Sequence, residues 1–131
     1  MSATLEERFD AAMMEIYRRA KAEVRYNATR YFQMLTEHRG VETARILLHS
    51  DTVSDGYTAL WERGRLDLTV EALINDHPEY HPLFNDDERE IARRRLEEYK
   101  YAPAIDENRE QEAVLRYSMK QAAKTAKENP Y

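Results

Sequence analysis

Apolar residues recur every three or four positions along the first third of the chain. They are Leu5, Phe9, Met13, Ile16, Ala20, Val24, Ala28, Tyr31 and Leu35. This spacing keeps one helix face apolar, and Thr4 with Glu7 has the form of a capping box that starts the helix. The pattern predicts one long helix, or two collinear helices broken near Asn27. Gly40 is expected to end it in a left-handed conformation.

The middle of the chain alternates short apolar stretches with capping and turn residues. The helices predicted there are Val41–His49, Gly56–Arg63 and Val70–Ile74. Ser54 or Asp55 can cap the second of them, Gly64 closes it with a positive φ, and Thr69 caps the third. The densest apolar cluster lies in the same region and is expected to form the core; it comprises Leu60, Trp61, Leu66, Leu68, Val70, Leu73 and Ile74.

The last part of the chain is predicted to hold a loop and two more helices. Asn75–Leu83 contains two prolines and reads as a loop. Asn85 and Glu88 form a second capping box, which opens a helix that Pro103 ends. A final helix is expected over Glu107–Glu128, either docked or frayed. We therefore expect a helical domain over residues 1–103, followed by a C-terminal helix or tail over residues 104–131.

Composition supports an all-α fold, a compact helical bundle with a long first helix and several short central ones. The 131 residues include only three glycines and four prolines, and helix-forming residues dominate. The absence of cysteine excludes disulfides, a thiolate nucleophile and cysteine-bound zinc. No signal peptide or membrane-spanning run is recognisable, so we expect a cytoplasmic protein without membrane contact.

Charge is distributed unevenly, although the net charge is only −5. Between Ile16 and Arg45 there are seven basic and three acidic residues. Between Asp51 and Glu90 there are three arginines against eleven acidic residues. This asymmetry is typical either of an edge that binds polyanions or of two regions of one fold that attract each other.

Part of the chain resembles a known group of proteins. The run Ser54-Asp55-Gly56-Tyr57, then Leu60-Trp61-Glu62, then Gly64-Arg65-Leu66-Asp67-Leu68-Thr69-Val70-Glu71-Ala72 is similar to a block found in a family of small bacterial all-helical proteins of unassigned function. The resemblance extends over residues 26–101. It implies a shared helical fold and no catalytic residue.

The same block supplies the first candidate site, an interaction surface. Trp61 beside Arg65, with the carboxylates of Asp67 and Glu71, resembles the aromatic and arginine anchors of protein interfaces. The structural alternative is a buried tryptophan, with Arg65 paired to Asp67 or Glu71 to hold a turn.

A second candidate site is a basic stretch interleaved with tyrosines, which is typical of nucleic-acid contact. Its basic residues are Arg18, Lys21, Arg25 and Arg30. Most of them lie opposite the apolar stripe of the helix, so an ordinary solvated face explains them equally well.

The sequence gives little support for a metal site, a DNA-reading motif or catalysis. His77 and His81 have a spacing that suits a metal on a helix, but Pro78 and Pro82 interrupt any helix there, and we expect a polar surface loop. The short central helices have only a weak helix-turn-helix character, because they present few side chains suited to base edges. No nucleophile, base and orienting group can be assembled, so we expect neither catalysis nor a cofactor.

The sequence thus predicts a non-catalytic interaction or accessory protein. Its partners are expected to be another protein and a second copy of itself, because so long an amphipathic helix in a small protein often packs against a copy as a dimer. Binding of nucleic acid through Arg18–Arg30 is the alternative.

Overall fold

The computed structural model describes residues 3–101, and within them there is no strand. This part of the chain contains five α-helices: α1 (Leu5–Val24), α2 (Thr29–Leu48), α3 (Asp55–Glu62), α4 (Val70–Asp76) and α5 (Asp86–Glu98). Two 3-10 helices, Leu66–Leu68 and Pro78–Leu83, lie on either side of α4. The all-α class is confirmed. The predicted helix Glu107–Glu128 and the boundary at residue 103 lie outside the described residues.

α1 begins and ends for local reasons. The capping box at its start is present, since the backbone N–H of Glu7 donates to the Thr4 hydroxyl and the Glu7 carboxylate accepts from the Thr4 backbone, both across 3.1 Å. Its end comes where Arg25 adopts a left-handed conformation, with φ at 56°, and donates its backbone N–H to the carbonyl of Ala20. The chain reverses its direction directly after this residue.

The expectation of one long helix or two collinear ones is wrong, because α2 folds back along α1 as an antiparallel hairpin. Tyr31 donates its hydroxyl to the carbonyl of Met13 across 2.7 Å. Further along, the backbone N–H of Gly40 donates to Asp10 Oδ1, also across 2.7 Å. The apolar stripe from Leu5 to Leu35 is thus largely used within one chain, where each helix covers the other.

Gly40 does not end a helix in a left-handed conformation, as the sequence suggested. The residue with positive φ is Arg39, at 65°, where α2 is kinked. Gly40 is buried, and a Cβ atom built on it would lie 2.7 Å from Asp10 Oδ1 and 3.0 Å from the ring of Phe9. The glycine is needed because α1 approaches closely, not because of its backbone conformation.

The predicted caps of the later helices are confirmed. The Ser54 hydroxyl accepts from the backbone N–H of Tyr57 across 3.0 Å, and the Thr69 hydroxyl accepts from Ala72 across 3.2 Å. A second capping box, formed by Asn85 and Glu88, opens α5. Gly64 has the predicted positive φ, 69°, and α3 and α4 lie where the sequence placed them. The predicted separate helix Val41–His49 is instead the second half of α2, which continues across the kink at Arg39.

The core joins all five helices. Its largest cluster is centred on Phe9, whose ring makes edge-on contacts with Tyr80 and Phe84 at 5.2 and 5.3 Å between centroids. Two smaller clusters surround Tyr57 and Leu60. Every residue of the apolar cluster predicted to form the core is buried except Trp61.

Candidate interaction groove

The four residues of the predicted surface around Trp61 do not form one surface in the structure. Arg65 and Asp67 form an ion pair across 3.0 Å, and Arg65 also donates to Glu23 of α1 across 2.8 Å. Hydrogen bonds from Arg19 and Arg65 lower the pKa of the Glu23 carboxyl to about 2. This network joins the Leu66–Leu68 turn to α1, which agrees with the structural interpretation of Arg65 and Asp67.

Trp61 is not buried, contrary to its assignment to the core. Its side chain is 47% exposed and meets the ring of Tyr99 edge-on, with 5.3 Å between centroids. Its neighbour Leu60, one residue earlier on the same helix, takes the inward position instead. Trp61 thus remains available as an aromatic surface residue, but without Glu71 beside it on that surface.

Glu71 is buried, with only 4% of the residue exposed. Its carboxylate Oε2 accepts from Arg95 of α5 across 3.0 Å. Burial raises the pKa of Glu71, and the hydrogen bond from Arg95 only partly opposes the effect. The expectation that Glu71 belongs to an exposed interaction surface is therefore wrong, because its position on α4 turns the charged side chain inward.

The four basic residues of the second candidate site are all exposed. Arg25 ends α1 and Arg30 lies in the first turn of α2, so the hairpin brings both to the same end of the helix pair. Arg18 lies 4.0 Å from Glu15, a weak contact between exposed groups. Within residues 3–101, Lys21, Arg25 and Arg30 have no ion-pair partner.

A groove of about 550 Å³ opens between the α1–α2 hairpin on one side and α3 with α4 on the other. Its size is within the range of roughly 300–1,000 Å³ typical of ligand sites. The deeper wall is apolar and includes Ile16, Ala20, Leu60, Leu68 and Val70, all buried in the structure.

The mouth of the groove is more polar and better exposed than its wall. Arg30 and Asn27 lie on the hairpin side, and Asp55 lies on the α3 side. Ile46 lines the groove as well, and it is 40% exposed. An apolar interior with a polar rim and one accessible aliphatic side chain has the composition of a recognition site.

No signal in the sequence pointed to this groove. Its residues come from α1 to α4, and the hairpin that forms one side was not predicted. The nearest sequence signal is the number of tyrosines, since four of the nine in the chain line the groove: Tyr17, Tyr26, Tyr31 and Tyr57.

His77 and His81 lie on or beside the 3-10 helix Pro78–Leu83, so the segment expected to be a loop with at most one helical turn is more regular than predicted. His81 Nε2 is 3.0 Å from the carbonyl of Ile74. No group of three His, Asp or Glu side chains in the described region is arranged to hold a metal. None of its helices combines the length and the apolar character needed to cross a membrane.

Comparison of the chain with protein-family models, with curated proteins and with solved structures gives no match. The resemblance of residues 26–101 to a small bacterial helical family therefore stays a prediction.

Proposed function

We propose that this chain is a non-catalytic interaction protein whose groove receives an apolar side chain from a partner protein. The observation that carries the proposal is the open apolar groove of about 550 Å³ between the hairpin and α3–α4. Filling such a groove removes apolar surface from water, which contributes about 25 cal/mol per Å².

Ile46 provides the accessible edge of this site. It lines the groove and is 40% exposed, so a partner gains by covering it while the free protein is not destabilised by its exposure. The anchor of an interface is a side chain that fills a desolvated pocket, and the contacts around the pocket exclude water from it.

Charges of both signs lie at the mouth of the groove, since Arg30 is on the hairpin side and Asp55 is on the α3 side. Complementary charges on the partner accelerate encounter and fix its orientation, with a salt-dependent rate.

The test replaces Ile46 with arginine and compares it with Gln33→Arg, which adds the same charge at another exposed position of α2 outside the groove. Each full-length variant is used to recover partners from the cell that makes the protein, and proteins and nucleic acids are both identified. We expect Ile46→Arg to recover at least tenfold less of a partner that Gln33→Arg recovers in full. Equal recovery by the two variants contradicts the proposal.

The second candidate function is nucleic-acid binding by the basic end of the hairpin, favoured by the exposure of Arg18, Lys21, Arg25 and Arg30. It requires a salt-sensitive shift of DNA or RNA by the purified protein. Changing Arg18, Lys21 and Arg25 together to glutamate should abolish that shift, and a retained shift counts against this site.

Self-association also stays a prediction. The prediction of a dimer rested on an uninterrupted apolar stripe, and the two helices of the hairpin cover much of that stripe within one chain. Two large apolar side chains of the hairpin are exposed for such a contact within residues 3–101. Phe32 is 37% exposed and packs on Tyr17 at 5.0 Å between ring centroids, and Ile46 is 40% exposed. Light scattering at micromolar concentration tests it: the mass of one chain contradicts a dimer.

A further inference from the structure

The two sides of the groove mouth carry opposite charges. Arg30 lies on the hairpin side and Asp55 on the α3 side, and both are exposed residues that line the groove. Within residues 3–101 neither of them has an ion-pair partner. Each can therefore pair with an opposite charge on a protein that covers the groove.

Arg30 and Asp55 lie near the same end of the groove. The connection between α1 and α2 meets the start of α3 there, because the Tyr26 hydroxyl is 3.6 Å from the position that a Cβ atom would take on Gly56. Asp55 is the residue before Gly56, and Arg30 follows Tyr26 in the first turn of α2. The two charges thus face each other across one end of the mouth.

The chain also presents the kind of side chain that its groove would receive. Ile46, in the last turn of α2, lines the groove and is 40% exposed. A fitting partner needs an apolar side chain close to charges that complement Arg30 and Asp55. A second copy of this chain meets both requirements, because it carries all three residues around the same groove.

We infer that the partner at the groove is a second copy of this chain, related to the first by a two-fold axis that runs along the groove. Such an axis places the hairpin side of each copy over the α3 side of the other. Arg30 of each copy then faces Asp55 of the other, whereas an axis across the groove would set Arg30 against Arg30. The inference rests on the proposed function and names its partner.

This arrangement covers two grooves at once. Each Ile46 leaves water against the apolar wall of the other copy's groove, which stabilises the dimer. The two ion pairs fix the orientation, because alternative arrangements bring like charges together. Interfaces that join the same surface of two copies in this way are by far the commonest among soluble oligomers.

The test reverses each charge separately in the full-length protein, as Arg30→Glu and as Asp55→Arg. Each variant sets like charges against each other at two places in its own dimer, so the dimer dissociation constant should rise at least about tenfold at low ionic strength. Sedimentation equilibrium measures this constant. Lys21→Glu makes the same change of net charge as Arg30→Glu at an exposed position outside the groove, and it should stay within about twofold of wild type.

An equal mixture of the two variants tests the pairing itself. In a mixed dimer the new glutamate faces the new arginine, and the original Arg30 and Asp55 face each other, so both ion pairs are restored. Native mass spectrometry distinguishes the mixed dimer from the two self-dimers by mass, and the mixed dimer should exceed either of them at least about tenfold. No preference for the mixed dimer overturns the inference.

Ile46→Arg separates failure of this inference from failure of the proposed function. It should abolish the wild-type dimer, and it decides alone if a charge variant does not fold; a dimer that survives it overturns the inference. A wild-type protein with the mass of one chain at micromolar concentration also overturns it. The proposed function then stands if Ile46→Arg loses a different protein in the recovery experiment, and both fail if it loses none.

Discussion

The Arg95 guanidinium lies between the Glu71 carboxylate, 3.0 Å away, and the carbonyl oxygens that end α2, of which the nearest, that of Ser50, is 2.8 Å away. One side chain of α5 thus holds α4 and the end of α2 together. Both of these elements contribute to the groove. The arginine acts as a cap for α2, since cations near a helix C-terminus offset its unpaired carbonyls and its dipole.

Changing Arg95 to methionine should destabilise the fold strongly. The change removes the partner of a buried carboxylate and leaves the α2 carbonyls without their donor, and breaking one side of a buried pair costs about 3–5 kcal/mol. Urea denaturation measures the loss. Arg94→Met is the matched control, because Arg94 is exposed on the same helix, and it should change stability by less than about 0.5 kcal/mol. Similar losses in the two variants contradict the assignment.

Acid should weaken the contact between α2 and α5 through Glu88. Burial alone raises the pKa of Glu88, but the backbone N–H of Asn85 together with His49 and Arg45 outweighs burial and lowers that pKa below its ordinary value. The folded protein therefore holds this proton less readily than the unfolded chain. Its stabilisation is present above the unfolded pKa of about 4.3 and is lost as pH falls through the folded pKa.

Glu88→Gln isolates this effect. The wild-type protein should be more stable than Glu88→Gln near neutral pH, and the difference should narrow as pH falls below about 4. The measurement is the free energy of unfolding at a series of pH values. Glu42→Gln, at an exposed position of α2, should change the free energy of unfolding near neutral pH by less than about 0.5 kcal/mol. A difference between wild type and Glu88→Gln that stays constant with pH contradicts the account.

Gly40 and Gly56 should respond oppositely to alanine. At Gly40 the new Cβ would lie 2.7 Å from Asp10 Oδ1 and 3.0 Å from Phe9, so the hairpin must open, at about 1–3 kcal/mol. At Gly56 the nearest atom, on Tyr26, is 3.6 Å away, and alanine in a helix gains up to about 1 kcal/mol. Thermal unfolding of both variants tests the hairpin. A Gly40→Ala protein as stable as Gly56→Ala contradicts it.

Arg65→Met should leave partner binding within twofold of wild type, because both Asp67 and Glu23 already occupy the Arg65 guanidinium. A modest fall in melting temperature is expected from the lost link to α1. The measurement is the amount of partner recovered with Arg65→Met, compared with the amount recovered with Ile46→Arg. If Arg65→Met loses the partner as completely as Ile46→Arg, then Arg65 belongs to the interaction surface as the resemblance to interface anchors suggested.

Helix starts were predictable because caps are local. The side chains of Thr4, Ser54, Thr69 and Asn85 each accept from a backbone N–H three residues later, so a short window of sequence contains all the information. The local density of apolar residues likewise placed Leu60, Leu66 and Leu68 in the core, but it also placed Trp61 there, which the structure exposes.

Features that depend on distant residues were not predictable from such windows. An apolar stripe from Leu5 to Leu35 has the same period whether the chain continues straight or folds back on itself. The pairing of Glu71 with Arg95 joins residues 24 positions apart, and no local pattern marks either as buried. The groove depends on the hairpin, so missing the hairpin meant missing the groove.

The central claim is that a partner protein contacts the groove at Ile46. The most direct measurement places the photoreactive residue p-benzoylphenylalanine at position 46, or at position 33 as control, in the full-length protein inside the cell that makes it. Irradiation should give a covalent adduct with a second protein from position 46 and little or none from position 33. No adduct from position 46, or equal adducts from both positions, contradicts the claim.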